Sequence, residues 1–498
     1  MNVNPITRLD YPDPDVIRVE DTYYMVSTTM HFMPGCEILQ SFDLVHWEHV
    51  TYVYETLDHT DAQQLKSGQN IYGQGMWAAS LRYHEGRFYI CFVANDIRKT
   101  YLYTSEKIDG PWKKQLIEGF YHDGSLLFDE DGRNYIVYGN DEIWITELNE
   151  DLTAPKKDGL HRLLVSDHKN PELGYEGSHI QKINGYYYIF LIHSQRDRWM
   201  RTEACFYSDS LEGKFTGGDV LCDDRGYCGQ GVAQGGIVDT PDGKWYAMLF
   251  QDSGAVGRIP ILVPVTWKDH FPVFGQNGHV PEEIEVHSTR PGYIYQPLVG
   301  SDDFCNGLLP RWQFNHDPDP RYYHLDALQG TYTITTREVC TELTQAVNTL
   351  TQRMSYPSCA AEVTVDASAL KEGDVAGLCA LQSCYAAVGI TKHHGKYEVL
   401  MLDKKEDGIL DMTERTVVES HQMDFRLEAD FCNMKDEARC YYRVNKGDWL
   451  PIGTVHKLYF KLDHFTGCRF GLFCYAAEET GGSACFRDFK YYDVDEIS

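Results

Sequence analysis

The sequence lacks the short signatures that announce most cofactor and nucleophile chemistry. It has no CxxC pair, no HExxH, no GxSxG and no P-loop GKS or GKT, so zinc, serine-hydrolase and nucleotide chemistry have no support. A calcium loop of alternating Asp and Asn is also missing, and the run DGSLLFDED from Asp123 to Asp131 is too apolar to be one. No stretch of about 18 apolar residues occurs, which excludes a hydrophobic membrane-spanning helix. Positive charge is scarce: 45 Lys and Arg stand against 74 Asp and Glu, a formal net charge of −29 spread along the chain. That balance opposes nucleic acid or an anionic membrane as a partner. The opening MNVNPITRLDYPDPDVIRV has neither the basic start nor the apolar stretch of a leader, so a cytoplasmic protein is expected. The 15 cysteines are odd in number and irregularly spaced, and buried reduced thiols are the expectation.

Aromatic residues, by contrast, are abundant. Tyr 34, Phe 22 and Trp 9 fall largely in strand-like runs such as Tyr186-Tyr187-Tyr188, which favours β structure. Five segments repeat one plan, a short run, a turn, then an aromatic-rich strand: DPDVIRVEDTYYMVS, AASLRYHEGRFYICFV, GSLLFDEDGRNYIVYG, GSHIQKINGYYYIFLI and GGIVDTPDGKWYAMLF. Their turn residues, Asp21, Gly86, Gly132, Gly185 and Gly243, lie 65, 46, 53 and 58 residues apart. Turn chemistry between alternating apolar runs signals hairpins, and repeats of this size signal propeller blades. Residues 1–290 are therefore expected to form a five-bladed β-propeller. A β-sandwich with coincidentally similar hairpins is the competing reading.

In a propeller the first strand of every blade lines the central channel, so equivalent strand starts meet at one mouth. Eight or nine positions before the five turn residues stand Asp13, Trp77, Asp123, Glu176 and Gln234. A single acid near a turn is usually a solvated cap. Three at one repeat position point to shared chemistry instead. Cleaving a glycosidic bond needs an acid for the leaving oxygen and a base or nucleophile on the opposite face. One carboxyl must stay protonated, which burial or a like-charged neighbour achieves. Asp10 and Asp15 compete with Asp13, since strand alternation puts Asp13 and Asp15 on one face.

Tyr11-Pro12-Asp13-Pro14-Asp15, His122-Asp123-Gly124-Ser125 and Tyr175-Glu176-Gly177-Ser178-His179 resemble the three acidic motifs of glycoside hydrolase family 43. Ser41 to Trp47, Gly75-Met76-Trp77-Ala78 and Gly257-Arg258 add to the likeness, which covers nearly the whole chain. The resemblance implies an inverting enzyme on arabinose- and xylose-containing glycans, close to the two-domain β-xylosidase / α-L-arabinofuranosidase branch. It implies Asp13 as general base, Glu176 as general acid and Asp123 as the residue that tunes and orients Glu176. Arg258 would bind a substrate hydroxyl or a carboxylate, with Phe32 and Trp77 walling the sugar subsite and Gln234 alongside. Two departures stand out. Met33 precedes Pro34-Gly35 where an aromatic is frequent. Gln234 stands where many members have a histidine that holds a central cation through water, so no metal or other cofactor is expected.

After about residue 285 the repeat stops, and HSTRPGYIYQPLVGSDDF reads as a linker. Residues 301–498 show short alternating strands, expected to form an antiparallel β-sandwich. It resembles the concanavalin A-like C-terminal domain of the two-domain enzymes, which reaches the pocket rim. Trp312 to Pro318 is the candidate interdomain segment. The whole is expected to be all-β and an exo-acting glycosidase with an oligosaccharide partner, homo-oligomer formation being left open. An endo-arabinanase-like hydrolase, a catalytically inert sugar-binding propeller, a retaining propeller enzyme and a free-standing carbohydrate-binding module are the competing readings.

Overall fold

The computed structural model describes residues 2–493; Met1 and residues 494–498, the ends of the two expected domains, lie outside it. Every regular element among the described residues is a β-strand or a short 3-10 turn, and no helix there is long and apolar enough to cross a membrane.

Five antiparallel sheets form the blades of a propeller. Blade 1 is Asp15–Val19, Thr22–Val26, Gly35–Ser41 and Glu48–Tyr54; blade 2 is Met76–His84, Arg87–Ala94, Lys99–Ser105 and Lys113–Ile117. Blade 3 is Ser125–Phe128, Asn134–Asn140, Glu142–Leu148 and His161–Ser166; blade 4 is Glu176–Ile183, Tyr186–Ser194, Arg201–Ser208 and Thr216–Leu221. Blade 5 pairs Val232–Ala233 and Ile237–Asp239 with Trp245–Asp252, followed by Arg258–Lys268 and Phe271–Phe274.

The repeat hairpins fold as their turn chemistry dictates. Gly86, Gly132, Gly185 and Gly243 all have φ near +80°, which only glycine adopts without strain. In blade 1 the left-handed residue is Glu20 rather than Asp21. The aromatic and branched residues then fill the spaces between blades. One apolar cluster lies between each pair of neighbours, for example Leu81, Phe92 and Ile38 between blades 1 and 2. The ring closes where Tyr11, Met25 and Leu39 pack against Tyr246 and Leu262, and Asn2–Val3 pairs with Glu283–Ile284.

The second unit is a sandwich of two antiparallel sheets whose inner faces share one large core. Its eight-stranded sheet does not end within the C-terminal half. Gln313–Asn315 pairs with Phe32–Met33, so a strand from the first blade's loop is the edge of the sandwich. Met33, where an aromatic is frequent in the family, is fully buried in the seam. Residues 313–317 do lie between the two units, with Gln313 Nε2 donating to the Pro34 carbonyl (2.6 Å) and Asp317 N–H to that of Gln63 (2.8 Å). The linker is strapped to blade 1, where Gln296 N–H donates to Glu48 (2.9 Å) and Arg290 pairs with Asp21 (2.8 Å). Charge crosses the seam too. Arg353 pairs with Glu37 at 2.8 Å and lies 4.1 Å from the centre of the Tyr11 ring. All 15 cysteines are free, but Cys222, Cys228, Cys305 and Cys432 are exposed, so burial holds for most thiols only.

Candidate active site

The five residues at the shared repeat position meet at one mouth of the channel, and the backbone there is unusual. Asp13, Asp123 and Gln234 have φ of 51°, 48° and 65°, while in blades 2 and 4 the left-handed residue follows the functional one, Ala78 (32°) and Gly177 (66°). Each non-glycine case costs on the order of 1–3 kcal/mol and persists only where surroundings over-determine it. The ladder breaks at the same places, between Trp77 and Ser80 and between Glu176 and His179. The turn of the chain also separates Asp13 from Asp15, which alternation alone would place on one face.

Asp13 Oδ2 accepts a 2.6 Å bond from Thr28 Oγ1, and Oδ1 accepts one from Arg258 Nη1 at 3.1 Å. Asp15 points down the channel into Arg82 and His179, and Asp10 accepts the backbone N–H groups of Arg258 and Gly467, both at 2.8 Å. Only Asp13 of the three reaches the mouth beside Arg258. Asp123 Oδ2 accepts the Gly177 N–H (2.9 Å), tying the third blade's acid to the backbone of the fourth. Glu176 Oε2 accepts from Asn140 Nδ2 at 2.7 Å.

His122 Nε2 lies 3.6 Å from carboxylate oxygens of both Asp123 and Glu176, a charge contact just beyond hydrogen-bond length. The negative charge of Asp123, then that of Glu176, lifts this imidazole to about 9 against the effect of burial. Burial is the main cause that pushes Asp123 up to about 6; Glu176 and Asp13 add to it, while His122 and the Gly177 N–H oppose it. Donor atoms of His122, Asp123 and Glu176 lie within 4.8 Å of one another, the spacing of a metal site.

Arg258, fully buried, has Phe465 of the sandwich 4.2 Å from its carbon and Phe250 at 5.4 Å, and its Nε has no hydrogen-bond partner among the described residues. Trp77 is half-buried with its ring centre 5.7 Å from that of Phe465 and 6.1 Å from that of His122. Two aromatic faces thus flank the carboxylates, one from each unit. Gln234 packs behind the acid motif: a Cβ on Gly177 would lie 2.5 Å from its Cδ, and its own N–H donates to Glu203 (2.8 Å). Phe32 is a correction. It is 2% exposed, belongs to a sandwich cluster with Leu343 and Phe473, and is covered by Arg469 at 3.5 Å, so it cannot wall a sugar site. Sequence reasoning missed His122, though it sits beside an acid motif, and Phe465, for which no local signal exists.

A propeller with acids from three blades at one mouth defines a glycosidase-type site. The sequence model "Glycosyl hydrolases family 43" matches residues 3–272, and "Beta xylosidase C-terminal Concanavalin A-like domain" matches residues 301–492. A β-xylosidase of Formosa agariphila is 27% identical, over 99% of this chain and 89% of that protein. A non-reducing end α-L-arabinofuranosidase of Bacteroides ovatus is 24% identical, over 82% of this chain and 79% of that protein. Among solved structures, a "Bifunctional GH43-CE" of Bacteroides eggerthii superposes with a TM-score of 0.92 at 42% identity, covering 99% of this chain. This chain spans 64% of that longer one. The chain belongs to glycoside hydrolase family 43.

Proposed function

We propose that the protein removes one terminal pentose, β-D-xylose or α-L-arabinofuranose, from the non-reducing end of hemicellulose-derived oligosaccharides with inversion at the anomeric carbon. The observation that carries this reading is the meeting of Asp13, Asp123 and Glu176 around His122, with Arg258 bonded to the first. The names of the relatives supply the pentose.

In the reaction Asp13 takes a proton from a water on one face of the sugar as its oxygen bonds to the anomeric carbon. The glycosidic C–O bond breaks on the other face, and Glu176 gives its proton to the leaving oxygen. Asp123, fixed by the Gly177 N–H, holds the acid motif and sets the field Glu176 feels. Arg258 keeps Asp13 oriented through Nη1, and its planar donor fork is of the type that suits a sugar hydroxyl beside that carboxylate. Trp77 and Phe465 offer flat apolar faces to the ring. The Phe465 wall comes from the second unit and favours a closed, exo-acting pocket.

Assay of the purified chain on nitrophenyl β-D-xyloside and α-L-arabinofuranoside, then on arabino-xylo-oligosaccharides, tests the proposal. Release of free pentose as the first product is expected. Absence of turnover on every pentoside, or release of internal fragments first, would overturn it.

A further inference from the structure

Below the pocket the three acid-bearing strands run on into the channel, and one side chain from a fourth blade ties them together. Arg82, on blade 2, donates from Nη1 to Asp15 Oδ2 (2.8 Å), two residues beyond Asp13. Its Nη2 donates to Ser125 Oγ (2.6 Å), two residues beyond Asp123, and to the Ile180 carbonyl (3.2 Å), four beyond Glu176. Nε donates to the Leu126 carbonyl at 2.8 Å. Its partners bond one another as well: Ser125 Oγ accepts the Ile180 N–H (3.0 Å), Asp15 Oδ2 accepts the Leu81 N–H (2.7 Å), and His179 Nδ1 lies 3.1 Å from Asp15 Oδ1. A planar five-donor fork can hold three strands in one register, whereas an ammonium point charge cannot. Asp15 and Arg82 are nearly closed off from solvent, so screening is weak.

We propose that Arg82 is a positioning residue for the reaction: from beneath the pocket it sets the mutual spacing of Asp13, Asp123 and Glu176. This deepens the proposed function and rests on it. A three-blade tie so close to the reacting groups translates directly into the distance between acid and base. Misplacement by about 1 Å costs on the order of 10²-fold in rate.

The test uses the full chain and two variants. Arg82→Lys keeps the charge opposite Asp15 but loses the fork to blades 3 and 4; Ser125→Ala removes only the shared hydroxyl. On a nitrophenyl pentoside the expected result is a kcat lowered about 10²-fold in Arg82→Lys and about 5-fold in Ser125→Ala. KM should stay within about 3-fold, and the pH limbs of kcat should move because the carboxyls no longer keep their separation. Thermal unfolding is followed on the same samples. A variant whose rate falls only in proportion to its unfolded fraction, with unmoved pH limbs, shows a merely structural arginine and overturns the proposal. Should Arg82→Lys not fold, Ser125→Ala decides by the same criteria. Wild-type inactivity on all pentosides would defeat the proposed function instead, so the two failures are distinguishable.

Discussion

Two kinds of buried carboxylate stand in this molecule. Asp15 in the channel and Glu37 in the seam are as enclosed as Asp123, and burial penalises the charge of all three. For Asp15, Arg82 and His179 outweigh that penalty and hold it down to about 2; for Glu37, Arg353 and His49 do the same, also to about 2. Asp123 instead faces Glu176 and Asp13, has a single imidazole on its side, and rises to about 6. Carboxylates of one type in one fold are thus divided by their neighbours into those that hold the structure and those left ready for proton chemistry.

Breaking the reactive side has the largest effect. Glu176→Gln should lower kcat on oligosaccharides by about 10⁴-fold, with a smaller loss on aryl pentosides whose leaving groups need no proton. Steady-state rates on the two substrate classes check it, and equal losses on both would count against Glu176 as the acid.

Breaking the compensated side should cost stability rather than chemistry. Glu37→Gln leaves Arg353 buried and unpaired, a loss of about 3 kcal/mol in unfolding free energy with kcat per folded molecule unchanged. The acid dependence has a definite sign. Because Glu37 sits near 2 in the folded protein against an ordinary 4.5, its contribution is present above pH 4.5 and is lost as the pH falls toward 2. Unfolding curves at pH 7 and pH 3 should therefore differ more for wild type than for the variant.

Asp123→Asn sharpens the contrast, because it should slow the enzyme and stabilise the fold. Asp123 is raised from 3.8 to about 6, so its ionisation costs stability as the pH rises through that interval. The variant should be more stable than wild type at pH 7, where that charge is developed, and no more stable than wild type below pH 3.8. His122, lifted chiefly by Asp123, should fall from about 9 and displace the pH limbs of kcat. Thermal unfolding and pH–rate profiles check both halves. The smallest effect is expected of Phe465→Ala, about 10-fold in KM with kcat nearly kept, as one apolar wall of the sugar site is lost.

The propeller and its acids were legible in the sequence because the repeat writes the geometry locally. A hairpin turn, glycine in every blade but the first, and a count of eight or nine back to the strand start point to Asp13, Asp123 and Glu176 together. What escaped depends on contacts between distant parts of the chain. The family resemblance implied Phe32 as a sugar wall, yet its strand is claimed by Gln313–Asn315. Phe465 reaches the pocket from a sandwich loop with no motif of its own. The tie between Asp13 and Asp15 was broken by a left-handed φ at Asp13, which no alternation rule contains.

The central claim is that a base and an acid on opposite faces of one sugar act in a single displacement by water. Proton NMR of the pentose first released, recorded before mutarotation, tests it most directly. The account predicts the anomer opposite in configuration to the substrate. A product that retains the substrate's configuration would contradict it and make Asp13 a nucleophile.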